Sequence, residues 1–242
     1  MKIEVWSDFV CPFCYIGKRR LEEALEQFPH KEGVEVIFKS FELDPNSERD
    51  SGKTIHEALA SKYGTSIEQA KKMNENMGQQ AAAVGLDFQF DNMIPTNTFD
   101  AHRLAKYAKN AGKAPEMTER LLKAYFTESQ HIGSHETLLK LAEEVGLDRN
   151  ESEAVLRSSD FENEVRADEE EARSIGVQGV PFFVLNRKYA ISGAQPLEVF
   201  TNSLQKVWEE ENAQPSLQTL TSEGSDGMTC SDEGCEIPNE KN

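Results

Sequence analysis

The stretch DFVCPFCYIG at residues 8–17 decides the fold, because it joins a predicted strand to a predicted helix. Residues 2–7 alternate in the manner of a strand, and apolar residues then recur at helical spacing between Leu21 and Phe28. Proline is favoured at the first position of a helix, since its missing N–H would have no partner there, and Pro12 fits that position. The two cysteines of the stretch are therefore predicted to lie where the strand ends and the helix begins.

This position gives the two cysteines different predicted roles. A helix N-terminus stabilises a thiolate, the reactive form of cysteine, through its unpaired N–H groups and its dipole. Cys11 is predicted to be the N-cap or the residue just outside it, with its sulfur facing solvent, and to form the mixed disulfide with a substrate. Cys14, one turn later, is predicted to be tucked inward and to resolve that mixed disulfide. Pro12 and Phe13, between them, are predicted to tune the stability of the thiolate.

A second cysteine pair keeps a metal site open as an alternative. The chain has four cysteines, and Cys230 and Cys235 form a second spaced pair. Four thiolates would complete a tetrahedral zinc site in a binding or chaperone-like protein. The second pair, however, begins 216 residues after Cys14 and has four residues between its cysteines. We therefore favour a redox site without metal, with Cys230 and Cys235 as a candidate secondary redox pair that exchanges with the first.

Val180 and Pro181 are the second signal of a redox site. Proline is unusual at the start of an interior strand because it donates no ladder hydrogen bond, and a cis proline turns the chain sharply. We expect a cis Pro181 next to the sulfurs, with the Val180 backbone open to an incoming peptide.

The order of the predicted elements is that of a thioredoxin-like α/β fold. A second strand follows at residues 34–43, and residues 54–175 read as consecutive helices without a convincing strand. Two short strands at 180–186 and 189–193 and a helix from about 196 to 211 close the pattern. The order β-α-β … β-β-α is thus interrupted by a large all-helical insertion.

This order predicts three parts of the chain: residues 1–53 and 176–211 as the thioredoxin-like domain, 54–175 as the helical insertion, and 212–242 as a flexible acidic tail carrying the Cys-x4-Cys pair. The net charge of −17 argues against nucleic-acid or anionic-membrane partners. No apolar run is long enough for a membrane span, and the first ten residues lack the apolar core of a signal peptide. A cytoplasmic location is expected. The sequence leaves the oligomeric state open.

Five motifs together resemble the DsbA-like thioredoxin-fold oxidoreductases of the FrnE type. They are WSDFVCPFC, SFELDP, NTFDAHRL, GVQGVPFFVLN and SGAQP, and the resemblance covers about residues 1–211. It implies a thioredoxin fold with a helical insertion, Cys11 as nucleophile, Cys14 as resolving thiol and a cis-proline loop at Val180–Pro181. It also implies exchange with protein or small-molecule thiols and disulfides, without a metal or organic cofactor and with glutathione as one conceivable co-substrate.

A related group, the glutathione-dependent isomerases and kappa-class transferases, is an alternative of the same fold. The resemblance implies that these enzymes activate glutathione with a serine at the position of Cys11. The presence of both cysteines favours disulfide chemistry over isomerisation.

One position departs from the thioredoxin pattern, which often has a buried acid six residues before the first cysteine. This chain has Val5 there. Asp8 and Glu42 are candidates for the missing acid, but each is predicted to be a solvated or loop-capping carboxylate. A structural role is predicted for His102, with a substrate or proton role as the alternative. Residues 18–20 are predicted to form a solvated helix face rather than a site for an anionic thiol such as glutathione.

Overall fold

The computed structural model describes residues 1–213 and two short segments, 230–231 and 234–235. The chain divides into two compact units, Met1–Glu211 and Asn212–Asn242. The predicted flexibility of residues 212–242 falls almost wholly outside the described residues and stays a prediction. Within the described part of the chain, no helix combines the length and the apolar character that crossing a membrane requires.

The first unit is built from one sheet and a set of helices. Its strands are β1 (Lys2–Ser7), β2 (Glu35–Ser40), β3 (Phe182–Leu185) and β4 (Tyr189–Ser192). Its helices are α1 (Pro12–Gln27), α2 (Ile55–Tyr63), α3 (Ile67–Ala82), α4 (Phe99–Asn110), α5 (Ala114–Phe126), α6 (His135–Glu144), α7 (Arg149–Arg157), α8 (Glu162–Ser174) and α9 (Leu197–Glu211). A single 3-10 turn, Lys31–Gly33, precedes β2.

The strand order β2-β1-β3-β4 confirms the thioredoxin-like α/β fold. β1 runs parallel to β2 and antiparallel to β3, so that Val5 lies opposite Phe38 on one side and Phe183 on the other. β3 and β4 form the antiparallel hairpin that the sequence predicts. All residues from 54 to 175 are described, and they form seven helices and no strand. The helical insertion is therefore confirmed.

Two helices of the insertion start with a reciprocal hydrogen-bond arrangement that their sequences specify. The side chain of Thr54 accepts a hydrogen bond from the main chain of Glu57, whose carboxylate accepts one from the Thr54 N–H. Ser66 and Gln69 repeat the arrangement at the start of α3. Each satisfies two N–H groups that a helix N-terminus would otherwise leave unpaired.

The central strand β1 is buried on both faces. Glu4 is 1% exposed and pairs with Arg187 and Lys39. Trp6 is fully buried, and its indole N–H donates to the Asp168 carbonyl at 2.9 Å. Helix α8 covers this face, so long-range packing overrides the local pattern.

The segment that carries the cysteines lies between two cores. Phe9, Tyr15 and Ile16 pack with the core of the helical insertion. Leu21 and Ala24, farther along α1, pack with the core between the sheet and α9. The start of α1 is thus fixed from both sides, which holds the cysteine positions rigidly.

Candidate active site

Cys11 is the N-cap of α1, with an extended backbone at φ −91° and ψ 111°, and Pro12 begins the helix. No side chain caps these first N–H groups, so they remain available to stabilise a thiolate. The residue is only 4% exposed. The expectation of a solvent-facing sulfur is therefore wrong. The reason is the Val180 carbonyl, which lies 3.5 Å from the Cys11 Sγ and covers it.

Cys14 is 2% exposed and, like Cys11, a free thiol. Burial raises its pKa well above the ordinary value, and the neighbouring Cys11 raises the pKa further. The Asp8 main-chain N–H donates to the Cys14 Sγ at 3.5 Å, and this contact and the Ser7 side chain lower the pKa by less. At neutral pH Cys14 is therefore a protonated thiol.

The loop at Val180 and Pro181 faces α1 across the cysteines. The peptide bond between the two residues is cis. Gly193 donates its N–H to the Pro181 carbonyl at 2.8 Å, which ties the loop to the end of β4. Gly17 lets the loop come close, since a Cβ atom there would lie 3.1 Å from the Pro181 Cγ.

Apolar side chains surround the cysteines on the surface. Phe13 is 40% exposed and Leu43 is 41% exposed, while Val10, Pro12 and Val180 are half-buried. Exposed large apolar side chains next to a reactive centre are typical of a surface that contacts another molecule. Phe13 is thus an exposed apolar side chain directly beside the cysteines, and its effect on the thiolate stays a prediction.

Asp8 and Glu42 are buried, so the prediction of a solvated carboxylate is wrong for both. The alternative, a loop-capping carboxylate, holds for Asp8, whose Oδ2 accepts the Leu43 N–H at 2.8 Å. Asp8 is 1% exposed, and its Oδ1 lies 3.3 Å from the Nε2 of His102, itself 2% exposed. Glu42 pairs with Arg166 at 2.6 Å. These partners are 94 and 124 residues away in the sequence, and for that reason local patterns did not reveal the burial. One available signal was that Asp8 and His102 each belong to a motif of the family resemblance.

Residues 18–20 do not form the solvated helix face that the sequence predicts. Lys18 is buried and bonds Glu22 and Glu119 at 2.5 Å each. Arg19 also pairs with Glu119. Although burial opposes ionisation, hydrogen bonds from Lys18 and Tyr15 lower the pKa of Glu119 to about 2. These cations already have partners, and Arg20 donates to main-chain carbonyls near the end of β4.

The second cysteine pair is described only in its backbone. A two-stranded ladder, β5 (Cys230–Ser231) and β6 (Gly234–Cys235), places Cys230 opposite Cys235. The four-cysteine zinc site would need their side chains, which lie outside the described residues. Among the side chains that are described, no three His, Cys, Asp or Glu residues come together as metal ligands would.

Comparison with known proteins agrees with this geometry. The family model of the DSBA-like thioredoxin domain matches residues 2–205. The crystal structure of a probable DsbA oxidoreductase from Streptomyces coelicolor is 42% identical, with a TM-score of 0.83, covering 99% of this chain and 100% of that one. The uncharacterized protein YwbO of Bacillus subtilis (strain 168) is 31% identical over 204 residues, which are 84% of this chain and 94% of YwbO. The cytosolic disulfide reductase DsbM from Pseudomonas aeruginosa shares the fold and has also been solved with GSH. The structure without GSH is 15% identical, with a TM-score of 0.61, covering 87% of this chain and 100% of DsbM.

The fold and the cysteine site define a thioredoxin-fold redox protein. The chain belongs to the DSBA-like thioredoxin domain family. It has the fold of the DsbA-like thiol–disulfide oxidoreductases, and the family assignment identifies it as a redox enzyme in that general sense.

Proposed function

We propose that the chain is a thiol–disulfide oxidoreductase in which Cys11 attacks and Cys14 resolves. The observation that carries the proposal is the contrast between the two thiols. Cys11 lies at an uncapped helix N-terminus, whereas Cys14 is buried with a raised pKa. The uncapped N–H groups of a helix N-terminus stabilise a thiolate, which supports Cys11 as the attacking thiol.

The exchange takes two steps. The Cys11 thiolate attacks one sulfur of a substrate disulfide, the substrate S–S bond breaks, and one substrate sulfur leaves as a thiolate. Cys14 then loses its proton and attacks the Cys11 sulfur, which forms the Cys11–Cys14 disulfide and releases the second substrate thiolate. Two electrons pass from the protein to the substrate, and the reverse sequence oxidises a dithiol. The reduction potential of the pair relative to its compartment sets the direction.

We propose protein and small-molecule thiols and disulfides as substrates. The apolar rim around Phe13 and Leu43 supports a peptide partner, and the half-buried Val180 backbone next to the sulfur supports pairing with its main chain. Glutathione is proposed as a small thiol co-substrate, with no metal or organic cofactor. The proposed compartment is the cytoplasm, since two spaced cysteine pairs are more typical of redox chemistry there than of a disulfide scaffold.

Serine variants test the proposal. We expect insulin reduction by dithiothreitol to be accelerated by the wild type and not by Cys11→Ser. Cys14→Ser should accumulate a mixed disulfide with a disulfide substrate, visible by mass spectrometry. Equal activity of the wild type and Cys11→Ser would contradict disulfide exchange. Activity that requires glutathione and survives Cys14→Ser would instead favour the isomerase or transferase alternative.

We also propose that Cys230 and Cys235 are a second redox pair that exchanges with the first. Residues opposite each other in an antiparallel ladder have Cα atoms about 4.5–5.5 Å apart, within the range of about 4.4–6.8 Å of disulfides. In a Cys14→Ser variant, a trapped disulfide between Cys11 and either tail cysteine is expected. Its absence, with unchanged turnover after truncation at Asn212, would refute the exchange. Zinc analysis of protein purified without chelator tests the four-cysteine alternative.

A further inference from the structure

A buried acid–base pair lies directly behind the proposed resolving cysteine. Asp8 and His102 are 1% and 2% exposed, and 3.3 Å separate their Oδ1 and Nε2 atoms. The second carboxylate oxygen of Asp8 accepts the Leu43 N–H at 2.8 Å. Ionisable side chains are rarely buried so completely without a partner. Here each partner comes from a different part of the fold, the start of α1 and the helical insertion.

The same residue contacts the sulfur. The Asp8 main-chain N–H donates to the Cys14 Sγ at 3.5 Å, so the carboxylate belongs to a residue in contact with that thiol. The other groups that act on Cys14 are Cys11 and the Ser7 hydroxyl, and a neutral hydroxyl is not a base at neutral pH. Val5, where thioredoxin-like proteins often have an acid, is buried in the apolar core of the sheet. Cys14 must nevertheless lose a proton in the resolving step.

Each residue of this pair lines a cavity. His102, with Ser7 and Phe9, lines one of about 640 Å³. Asp8, with Val10, lines another of about 450 Å³. Both volumes are large enough for several water molecules. A proton that reaches His102 therefore has an exit through the cavity that His102 lines.

The remaining charged groups around the pair have other partners. Glu42, whose pKa responds to His102, is bonded to Arg166 of α8. Lys106, one helical turn after His102, is bonded to Asp168. Three titratable groups face the pair from the elements packed against it: Cys14 of α1, Glu42 after β2 and Tyr125 of α5. Lys106 of α4 lines the same cavity as His102, and Cys11 lies next to Cys14.

We propose that Asp8 and His102 receive the proton that Cys14 loses when it resolves the mixed disulfide, which rests on the disulfide exchange proposed above. The Cys14 S–H bond breaks, the Cys14–Cys11 S–S bond forms, and the bond from Cys11 to the substrate sulfur breaks, with the substrate leaving as a thiolate. The Asp8 carboxylate accepts the proton. His102 is the positioning residue: its Nε2 lies beside the Asp8 Oδ1, holds the carboxylate and takes the proton on until the proton passes to water.

The test separates the two thiols in one experiment with 5,5′-dithiobis(2-nitrobenzoate). Attack by Cys11 on this disulfide releases one thionitrobenzoate, and resolution by Cys14 releases a second, so stopped-flow absorbance records two phases. At neutral pH, Asp8→Asn is expected to slow the second phase about 100-fold, the order of a general-base contribution, and to leave the first phase within about threefold. As the pH rises to about 9, hydroxide replaces the lost base and the difference should shrink.

Two further variants keep the test decisive. His102→Gln is expected to slow the second phase with the same pH dependence, and it carries the test if Asp8→Asn does not fold. Asp168→Asn, which removes the charge of another buried acid away from the sulfurs, should change neither phase. An unchanged second phase in a folded Asp8→Asn or His102→Gln, or slowing by the same factor at every pH, would overturn the proton-transfer role.

The wild type reports on the underlying exchange separately. Two phases in the wild type, with the second lost in Cys14→Ser, would support the disulfide exchange itself. A wild type without a second phase, or Cys11→Ser with both phases intact, would refute that exchange whatever the Asp8 and His102 variants do.

Discussion

A methyl group added at Gly17 measures how closely α1 packs against the Pro181 loop. A Cβ atom there would lie 3.1 Å from the Phe183 Cζ and 3.1 Å from the Pro181 Cγ. Carbon atoms in good contact are about 3.5–4.0 Å apart, so the overlap is about half an ångström with each side chain. Phe183 has little room to move, since it is fully buried and packs edge-to-face on Phe200 at 4.9 Å.

Two opposing effects decide the sign of this substitution. Alanine in a helix interior is more favourable than glycine by about 1 kcal/mol. Overpacking in a buried site costs about 1–3 kcal/mol. We therefore expect Gly17→Ala to lower the free energy of unfolding by about 0–2 kcal/mol. Gly78→Ala is the matched control: it lies inside α3, where the Cβ atom meets only Phe90 at 3.9 Å, so a gain of about 1 kcal/mol is expected.

Urea unfolding followed by circular dichroism measures both variants, and insulin reduction measures turnover. Because a displaced Pro181 moves the Val180 carbonyl relative to the Cys11 sulfur, Gly17→Ala should also slow turnover by roughly 3–10-fold. The reasoning is refuted if Gly17→Ala stabilises the protein as much as Gly78→Ala and retains the wild-type rate. That result would mean that the loop is not in tight contact with the helix.

Two further substitutions test other parts of the structure. The lowered pKa of Glu119, about 2, means that its stabilising effect is complete above about pH 4.3 and is lost as the pH falls towards 2. Glu119→Gln should therefore lower the free energy of unfolding at pH 7 by about 1 kcal/mol, allowing for solvent screening, and weaken the loss of stability in acid. The free energy of unfolding of each protein is measured by denaturant unfolding at several pH values. The same loss of stability in both proteins between pH 5 and 2 would contradict this. Gly133→Ala would place a Cβ atom 1.9 Å from the Thr96 Oγ1 and 3.0 Å from the Arg49 carbonyl. We expect the free energy of unfolding to fall by about 3 kcal/mol, which corresponds to a fall in Tm of about 6–12 °C. A thermal melt in which Tm falls by less than about 2 °C would contradict the tight packing around Gly133.

The sequence predicted those features that depend on neighbouring residues. Pro12 predicted the start of α1, and the spacing of apolar residues predicted an insertion made of helices. The burial of β1 on both faces was not predictable from neighbouring residues. Glu4 and Asp8 are both buried, and each has a partner more than 90 residues away, Arg187 and His102 respectively.

In the active site too, neighbouring residues predict some features and distant contacts determine others. The position of Cys11 at a helix start follows from six or seven adjacent residues, but its low exposure depends on the Val180 carbonyl, 169 residues away. The pairing of Asp8 with His102 requires the insertion to fold back onto the first helix. Such contacts join residues without any shared local pattern, so only a three-dimensional structure reveals them.

The separation between Cys14 and Val180 has a consequence for synthesis in the cell. The 165 residues between them include the whole helical insertion, and β3, which completes the sheet beside β1, comes after them. At about 5–20 residues per second, translation of this interval takes roughly 8–33 s. During that time both thiols leave the ribosome without the loop that later covers Cys11. The newborn chain therefore passes through a period in which its own cysteines are open to oxidation, and a reducing environment protects the enzyme before it can act on any other protein.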